Sequence, residues 1–152
     1  MLSSFSAEMV SKFDHSPNRG SYGSELSVYI SRRNSSRSLE LEQVLEEILK
    51  EAGFLIAYPE KMSLLDQMRL FSNTRVLVGP HGAGLANASF MKSGKRLVVE
   101  ILDPKWPNHC FEILAKERNF AFHRILQTGD MGQREIKDLA DEIVEISQAF
   151  AS

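Results

Sequence analysis

The chain has 152 residues, 43% hydrophobic and 25% charged, with 18 basic against 20 acidic side chains for a net charge of −2. That length suits one domain of roughly 100–200 residues with a real core, and the charge balance excludes a generally cationic nucleic-acid binder. The single cysteine, Cys110, excludes an intramolecular disulfide and a cysteine-rich zinc module. No apolar run approaches the ~18 residues of a membrane span. The N-terminus carries neither the basic segment nor the apolar core of a signal peptide. The expectation is a cytoplasmic domain, a piece of something larger, with no nucleic-acid partner and no transmembrane segment.

Residues 1–26 hold seven serines and the turn-rich stretch His15-Ser16-Pro17-Asn18-Arg19-Gly20. Phe5, Met9 and Phe13 recur every four residues, which predicts a short amphipathic helix before a loop. This segment reads as a connector, and residues 27–152 as the folded unit. Ser27–Ser31 is short and β-prone. Leu41, Val44, Leu45, Ile48, Leu49 and Ala52 then follow a helical stripe, with Ser38 as its cap and Gly53 as its stop. Phe54–Tyr58 is the second strand, limited by Pro59. Ser63 starts another helix, with Leu64, Leu65, Met68 and Phe71 expected on one face.

Arg75–Gly79 is the third strand, Gly82–Phe90 a short helix, and Arg96–Leu102 a fourth strand apolar enough to be buried on both faces. Asn108–Asn119 reads as a helix carrying Phe111, Leu114 and Ala115, and Phe120–Leu126 as a fifth strand. A last helix starts near Gln133, with Ile136, Leu139, Ile143, Ile146 and Phe150 on one face. This alternation predicts an α/β, Rossmann-like parallel sheet of about five strands with helices on both faces. Ligands of such sheets sit at the carboxyl ends of the strands.

The most informative stretch is Val76-Leu77-Val78-Gly79-Pro80-His81-Gly82-Ala83-Gly84-Leu85-Ala86-Asn87. It runs from a buried strand through a glycine-rich turn into a helix, whose free N–H groups and dipole favour an anion such as phosphate. The alternative is a tight strand–helix turn with no ligand. Gly79 and Gly84 have P-loop spacing, but Leu85-Ala86 replaces the required Lys-Ser/Thr. Gly82-x-Gly84 begins a dinucleotide fingerprint, but Asn87 stands where its third Gly or Ala belongs. His81-Gly82 is near an esterase oxyanion turn, yet the chain has no Gly-x-Ser-x-Gly elbow.

Arg32 and Arg33 follow Ser31 off the end of the first strand, where guanidinium groups can bind phosphate bidentately. The alternative is a solvated surface pair. Glu100 closes an apolar strand and must be paired if buried. It is expected to accept from ribose hydroxyls, or to form an ion pair with an arginine such as Arg32 or Arg33. His15, His109 and His123 have no metal-ligand spacing. Trp106 suits stacking on a base or simple packing, Cys110 a small-hydrophobe role, and Gln67 and Asn73 capping or surface roles.

Tyr29-Ile30-Ser31-Arg32-Arg33, Gly53-Phe54, Pro59-Glu60, Ser63-Leu64-x-x-Gln67, Leu70-Phe71-Ser72, the Gly79–Asn87 string, Phe90-Met91 and Val98-Val99-Glu100-Ile101 occur in that order. Together they resemble the C-terminal part of glycosyltransferase family 61, inverting sugar-nucleotide transferases. The resemblance covers roughly residues 27–103. It departs where an Asn-Glu pair commonly follows the arginines, a region occupied here by Leu39-Glu40-Leu41-Glu42.

The resemblance implies one lobe of a two-lobed GT-B enzyme, the lobe that binds the nucleotide-sugar. An N-terminal acceptor lobe, or a partner chain, would supply the acceptor side, and an uncovered lobe face would favour a homodimer. The implied donor is a UDP-sugar, with hexosyl or pentosyl transfer to a hydroxyl of a polysaccharide or glycan. No other cofactor is implied, a divalent metal is left open, and the catalytic base is unassigned. The implied substrate-binding set is Ser31, Arg32, Arg33, Pro80, His81, Gly82, Ala83, Gly84, Asn87 and Glu100. Two other readings stand beside it: a non-catalytic nucleotide-binding module or remnant, and a dinucleotide-binding oxidoreductase domain.

Overall fold

The computed structural model describes residues 26–31, 39–127 and 132–152. The helix expected on Phe5, Met9 and Phe13, the Ser38 cap, and Arg32 and Arg33 lie outside the described residues. In chain order the elements are β1 (Leu26–Ile30), α1 (Leu39–Glu51), β2 (Leu55–Ala57), a 3₁₀ turn (Pro59–Lys61), α2 (Leu64–Ser72) and β3 (Thr74–Pro80). A 3₁₀-helix (Ala83–Phe90), β4 (Leu97–Leu102), α3 (Cys110–Glu117), β5 (Ala121–Leu126) and α4 (Gln133–Ala151) follow. The strands form one sheet in the order β2-β1-β3-β4-β5, and every neighbouring pair is parallel. Parallel neighbours need crossovers, and those crossovers cover both faces of the sheet.

Each face has its own core. On one, Tyr29, Val76, Val78, Val99 and Ile101 pack under α1 and α4 through Leu45, Leu49, Ile136, Leu139 and Ile143. On the other, Val28, Leu77 and Val98 meet Leu70 and Phe71 of α2, Leu85 of the 3₁₀-helix and Ala115 of α3. β4, between two neighbours and two cores, is buried at every residue. β5, at the edge, buries only Ile125 fully.

The rings of Tyr29 and Tyr58 belong to the first core. Their hydroxyls donate to Glu42 (2.8 Å) and Glu46 (2.7 Å), one turn apart on α1. Glu46 is fully buried and also accepts from Ser31 Oγ. A buried carboxylate is stable only with such donors.

α2 corrects one expectation. Its N-cap is Ser63, whose Oγ accepts from the Asp66 N–H at 3.1 Å. Its buried face, however, is Asp66, Leu70 and Phe71, while Leu64, Leu65 and Met68 are exposed. The helix is only nine residues long, and it meets the sheet through its C-terminal half, where Leu70 and Phe71 join Val28, Ile30 and Leu77. β2 is itself shorter than expected. The Phe54 N–H is spent on the Leu49 carbonyl (2.9 Å), and Pro59 opens a 3₁₀ turn. Among the described residues no helix is long and apolar enough to cross a membrane.

α1 ends in a Schellman turn: Gly53 N–H bonds Lys50 O (3.0 Å) and Phe54 N–H bonds Leu49 O. Gly53 sits at φ +93°, and a Cβ there would meet nothing within 4 Å. Gly53→Ala therefore isolates backbone strain. It should lower unfolding free energy by about 1–2 kcal/mol, read as a lower urea midpoint with an unchanged slope.

Candidate functional site

The chain runs from β1 outward to β2, then returns past β1 to β3, so the direction of winding reverses between β1 and β3. Crossovers leave opposite faces there, and their separation opens a crevice at the carboxyl ends of the two strands. A cleft of about 420 Å³ occupies that place. Ser31, Pro80, His81, Gly82, Ala83, Gly84 and Asn87 line it, together with Ile30, Pro59, Glu60 and Gln67. Arg32, which follows Ser31 directly, and Arg33 lie outside the described residues.

The glycine turn is shaped by close approach to β1. The His81 N–H extends the ladder by bonding Ile101 O at 2.8 Å. Gly82 then takes φ 157° and ψ 179°, a combination open essentially to glycine alone. The first bond of the 3₁₀-helix runs from Leu85 N–H to Gly82 O at 3.1 Å. The N–H groups of Gly82, Ala83 and Gly84 precede it and are the orphan donors of a helix start. A Cβ on Gly84 would stand 2.8 Å from Ile30 Cγ2, and one on Gly79 would stand 3.1 Å from Ile30 Cβ. These two glycines let the helix start press onto β1. Asn87, buried, ties the turn further: its Nδ2 donates to Gly84 O at 3.0 Å.

Glu60 and Gln67 enter the cleft from the other side. Gln67 Nε2 donates to Pro59 O (3.0 Å) and Met62 O (3.2 Å), holding the 3₁₀ turn against α2. This is a structural tether, more than the capping or surface role expected of Gln67.

Glu100 lies beneath the turn. It is fully buried and does not line the cleft. Its Oε1 lies 2.5 Å from His81 Nδ1, and its Oε2 accepts from Arg124 Nε at 2.9 Å. The arginine it holds is Arg124, because β4 and β5 align with Glu100 directly opposite Arg124. Both carboxylate oxygens of Glu100 are thus engaged beneath the turn. Arg124 continues outward: its Nη1 donates to Glu112 Oε2 (3.2 Å), which also takes His109 Nδ1 (3.1 Å). Phe111 packs its ring edge-on to His81, with centroids 5.0 Å apart.

This geometry meets its decisive observation in the sequence comparison. The family model described as "Glycosyltransferase 61" matches residues 1–98. The chain belongs to glycosyltransferase family 61. Its match takes in the whole cleft wall and ends two residues before Glu100. No curated protein matches the chain significantly. Among solved structures it is similar to a flavodoxin-like domain from Synechococcus sp. (TM-score 0.55, 12% identity, covering 84% of this chain and 99% of that one). It is also similar to the Flv1 flavodiiron core from Synechocystis sp. PCC6803 (TM-score 0.55, 12% identity, 83% of this chain). The chain spans 35% of that second structure's length. At such identity these likenesses show the fold alone, and they agree with the parallel five-stranded sheet.

Other residues weighed from the sequence lie apart from this family 61 cleft. Trp106 is 76% exposed and neither packs nor lines the cleft. Cys110 is exposed at the start of α3, not packed as a small hydrophobe. His15 lies outside the described residues. Among the described residues no group of three His, Cys, Asp or Glu side chains is placed to hold a metal.

Two outcomes follow. Gly84→Ala should cost about 1–3 kcal/mol by overpacking against Ile30, and markedly less in an Ile30→Ala background, measured as a double-mutant cycle in urea. Glu112 titrates below its ordinary value of 4.5, chiefly because His109 hydrogen-bonds its carboxylate, with Arg124 adding to the shift. A folded-state value below the unfolded one means that the stabilising contribution is present above about pH 4.5 and is lost as pH falls through the folded value. NMR carboxyl titration should place the Glu112 midpoint below 4.5 and move it up in His109→Ala.

Proposed function

We propose that this chain is the donor-binding lobe of an inverting GT-B glycosyltransferase, taking a sugar from a nucleoside diphosphate sugar, UDP by preference, to a hydroxyl acceptor of a growing glycan. The observation that carries the reading is the row of N–H donors at Gly82–Gly84, opening beside His81 into the cleft between β1 and β3. Backbone donors at a helix start, with no side chain in the way, suit the oxygens of a diphosphate. Membership of glycosyltransferase family 61 supplies the class of donor.

In the proposed reaction an acceptor hydroxyl attacks the anomeric carbon on the face opposite the diphosphate. The carbon–oxygen bond to the phosphate breaks, its electron pair leaves with the nucleoside diphosphate, and configuration inverts. The hydroxyl proton passes to a base on the acceptor side. This lobe's task is to hold the leaving group and spread its charge. The Gly82–Gly84 amides take one side of the diphosphate, and Arg32 and Arg33 clamp the other. His81, held at Nδ1 by Glu100, turns Nε2 toward the donor sugar, where it accepts from a hydroxyl.

A second lobe, in the same protein or a partner chain, brings the acceptor. Leu64, Leu65 and Met68 stand exposed on α2 beside Gln67 of the cleft wall and suit cover by such a lobe.

Calorimetric titration with UDP, against GDP and NAD, tests the reading. Saturable UDP binding is expected. Arg32→Ala/Arg33→Ala should weaken it at least about tenfold, since hydrogen bonds to charged groups contribute about 1.5–3 kcal/mol. Unchanged affinity in a folded double variant removes the arginine clamp. Preference for NAD over UDP replaces the transferase reading with a dinucleotide-binding one.

A further inference from the structure

We propose that Arg124, on the edge strand β5, is a positioning residue of the cleft: through Glu100 it fixes His81 as the Nδ1–H tautomer, with Nε2 on the cleft side. Arg124 reaches no cleft wall itself. It lies beyond the residues that the family model matches.

The argument begins with donors and acceptors. A neutral imidazole has one N–H and one lone pair, and its partner decides which nitrogen holds the proton. An ionised carboxylate only accepts; a protonated one also donates. Glu100 has no exposure, so water cannot keep it ionised. Arg124 can, because a guanidinium does not give up its charge. Its Nε–H sits 2.9 Å from Oε2. The other oxygen then accepts the Nδ1–H of His81 at 2.5 Å.

Arg124 is itself anchored. Nη1 holds Glu112 at 3.2 Å, Nη2 reaches Asn108 O at 3.4 Å, and the guanidinium lies over the Phe122 ring, 5.2 Å from its centroid. Phe111 closes on the His81 ring from α3. The imidazole, which lines the cleft, is thus held at Nδ1 by Glu100 and packed against Phe111. The consequence for nucleotide affinity rests on the donor-lobe reading; the tautomer does not.

The test is a long-range ¹H–¹⁵N spectrum of ¹⁵N-histidine-labelled chain without nucleotide, at a pH where the ring is neutral. His81→Gln assigns the His81 signals. The wild type should show His81 with its proton on Nδ1. In Arg124→Met, Glu100 loses its cation, takes up a proton and turns donor, so the signals should move to the Nε2–H form or to a mixture. Arg124→Lys should restore the wild-type pattern. Glu100→Gln/Arg124→Met removes both charges and serves where the single variant does not fold; its side-chain amide no longer forces one tautomer. An Arg124→Met or double variant with native amide signals that keeps His81 wholly Nδ1–H overturns the proposal.

A titration of the same samples with a UDP-hexose separates the two ideas. A fall of about threefold to tenfold in Arg124→Met, recovered in Arg124→Lys, supports positioning, because an Nε2–H ring no longer accepts from a sugar hydroxyl. A changed tautomer with unchanged UDP-hexose affinity overturns it. A changed tautomer with no UDP-hexose binding by the wild type supports the relay and overturns the nucleotide reading.

Discussion

A carboxylate without exposure sits inside the sheet at Glu100, and much of the local architecture follows from its charge. Unpaired, such a group could not remain ionised there. Its neighbours on both sides supply what water cannot: Arg124 from β5 and His81 from the end of β3. The pairing fixes more than a charge. It requires β4 and β5 to keep the register that sets residue 100 opposite residue 124, because a one-residue slip would turn the arginine to the other face. It also anchors the imidazole at the mouth of the cleft. A buried pair of this kind adds little net stability over an apolar one, yet losing one member costs roughly 3–5 kcal/mol. Its value lies in specifying an arrangement.

The second constraint is closeness. The helix after β3 is built almost wholly of small residues around Leu85, which is fully buried and whose Cδ2 would stand 3.3 Å from a Cβ added at Gly79. Small residues let the backbone of the turn settle onto Ile30, and backbone that close to the strand ends is what offers its amides to the cleft. The same glycines thus serve the packing of the turn and the shape of the cleft together.

Much of this was legible in the sequence. Alternating apolar strands and amphipathic helices fixed the class of fold, and the glycine turn marked the correct edge of the sheet. Local signals served where local physics decides, as at the Ser63 cap and the Gly53 stop. Long-range geometry was harder. Arg124 went unnoticed although two strands of six residues, paired end to end in parallel, would have set it against Glu100. Leu64, Leu65 and Met68 carried a helical stripe, but periodicity does not say which turns of a short helix meet the sheet. Glu60 joins the cleft only because Gln67 ties its turn to α2. Trp106 follows the same rule: a loop's sequence does not say which way it turns from the sheet.

The cleft draws its walls from three separated stretches, residues 30–31, 59–67 and 80–87. An occupant touching all three is a removable cross-link. It joins the first strand to a turn some fifty positions later, closing a long loop that the unfolded chain must otherwise close at an entropic cost. Any molecule held there binds only the assembled sheet, so its concentration enters the folding equilibrium directly, by mass action. The sheet's resistance to heat and to proteases is then tied to how full its cleft is.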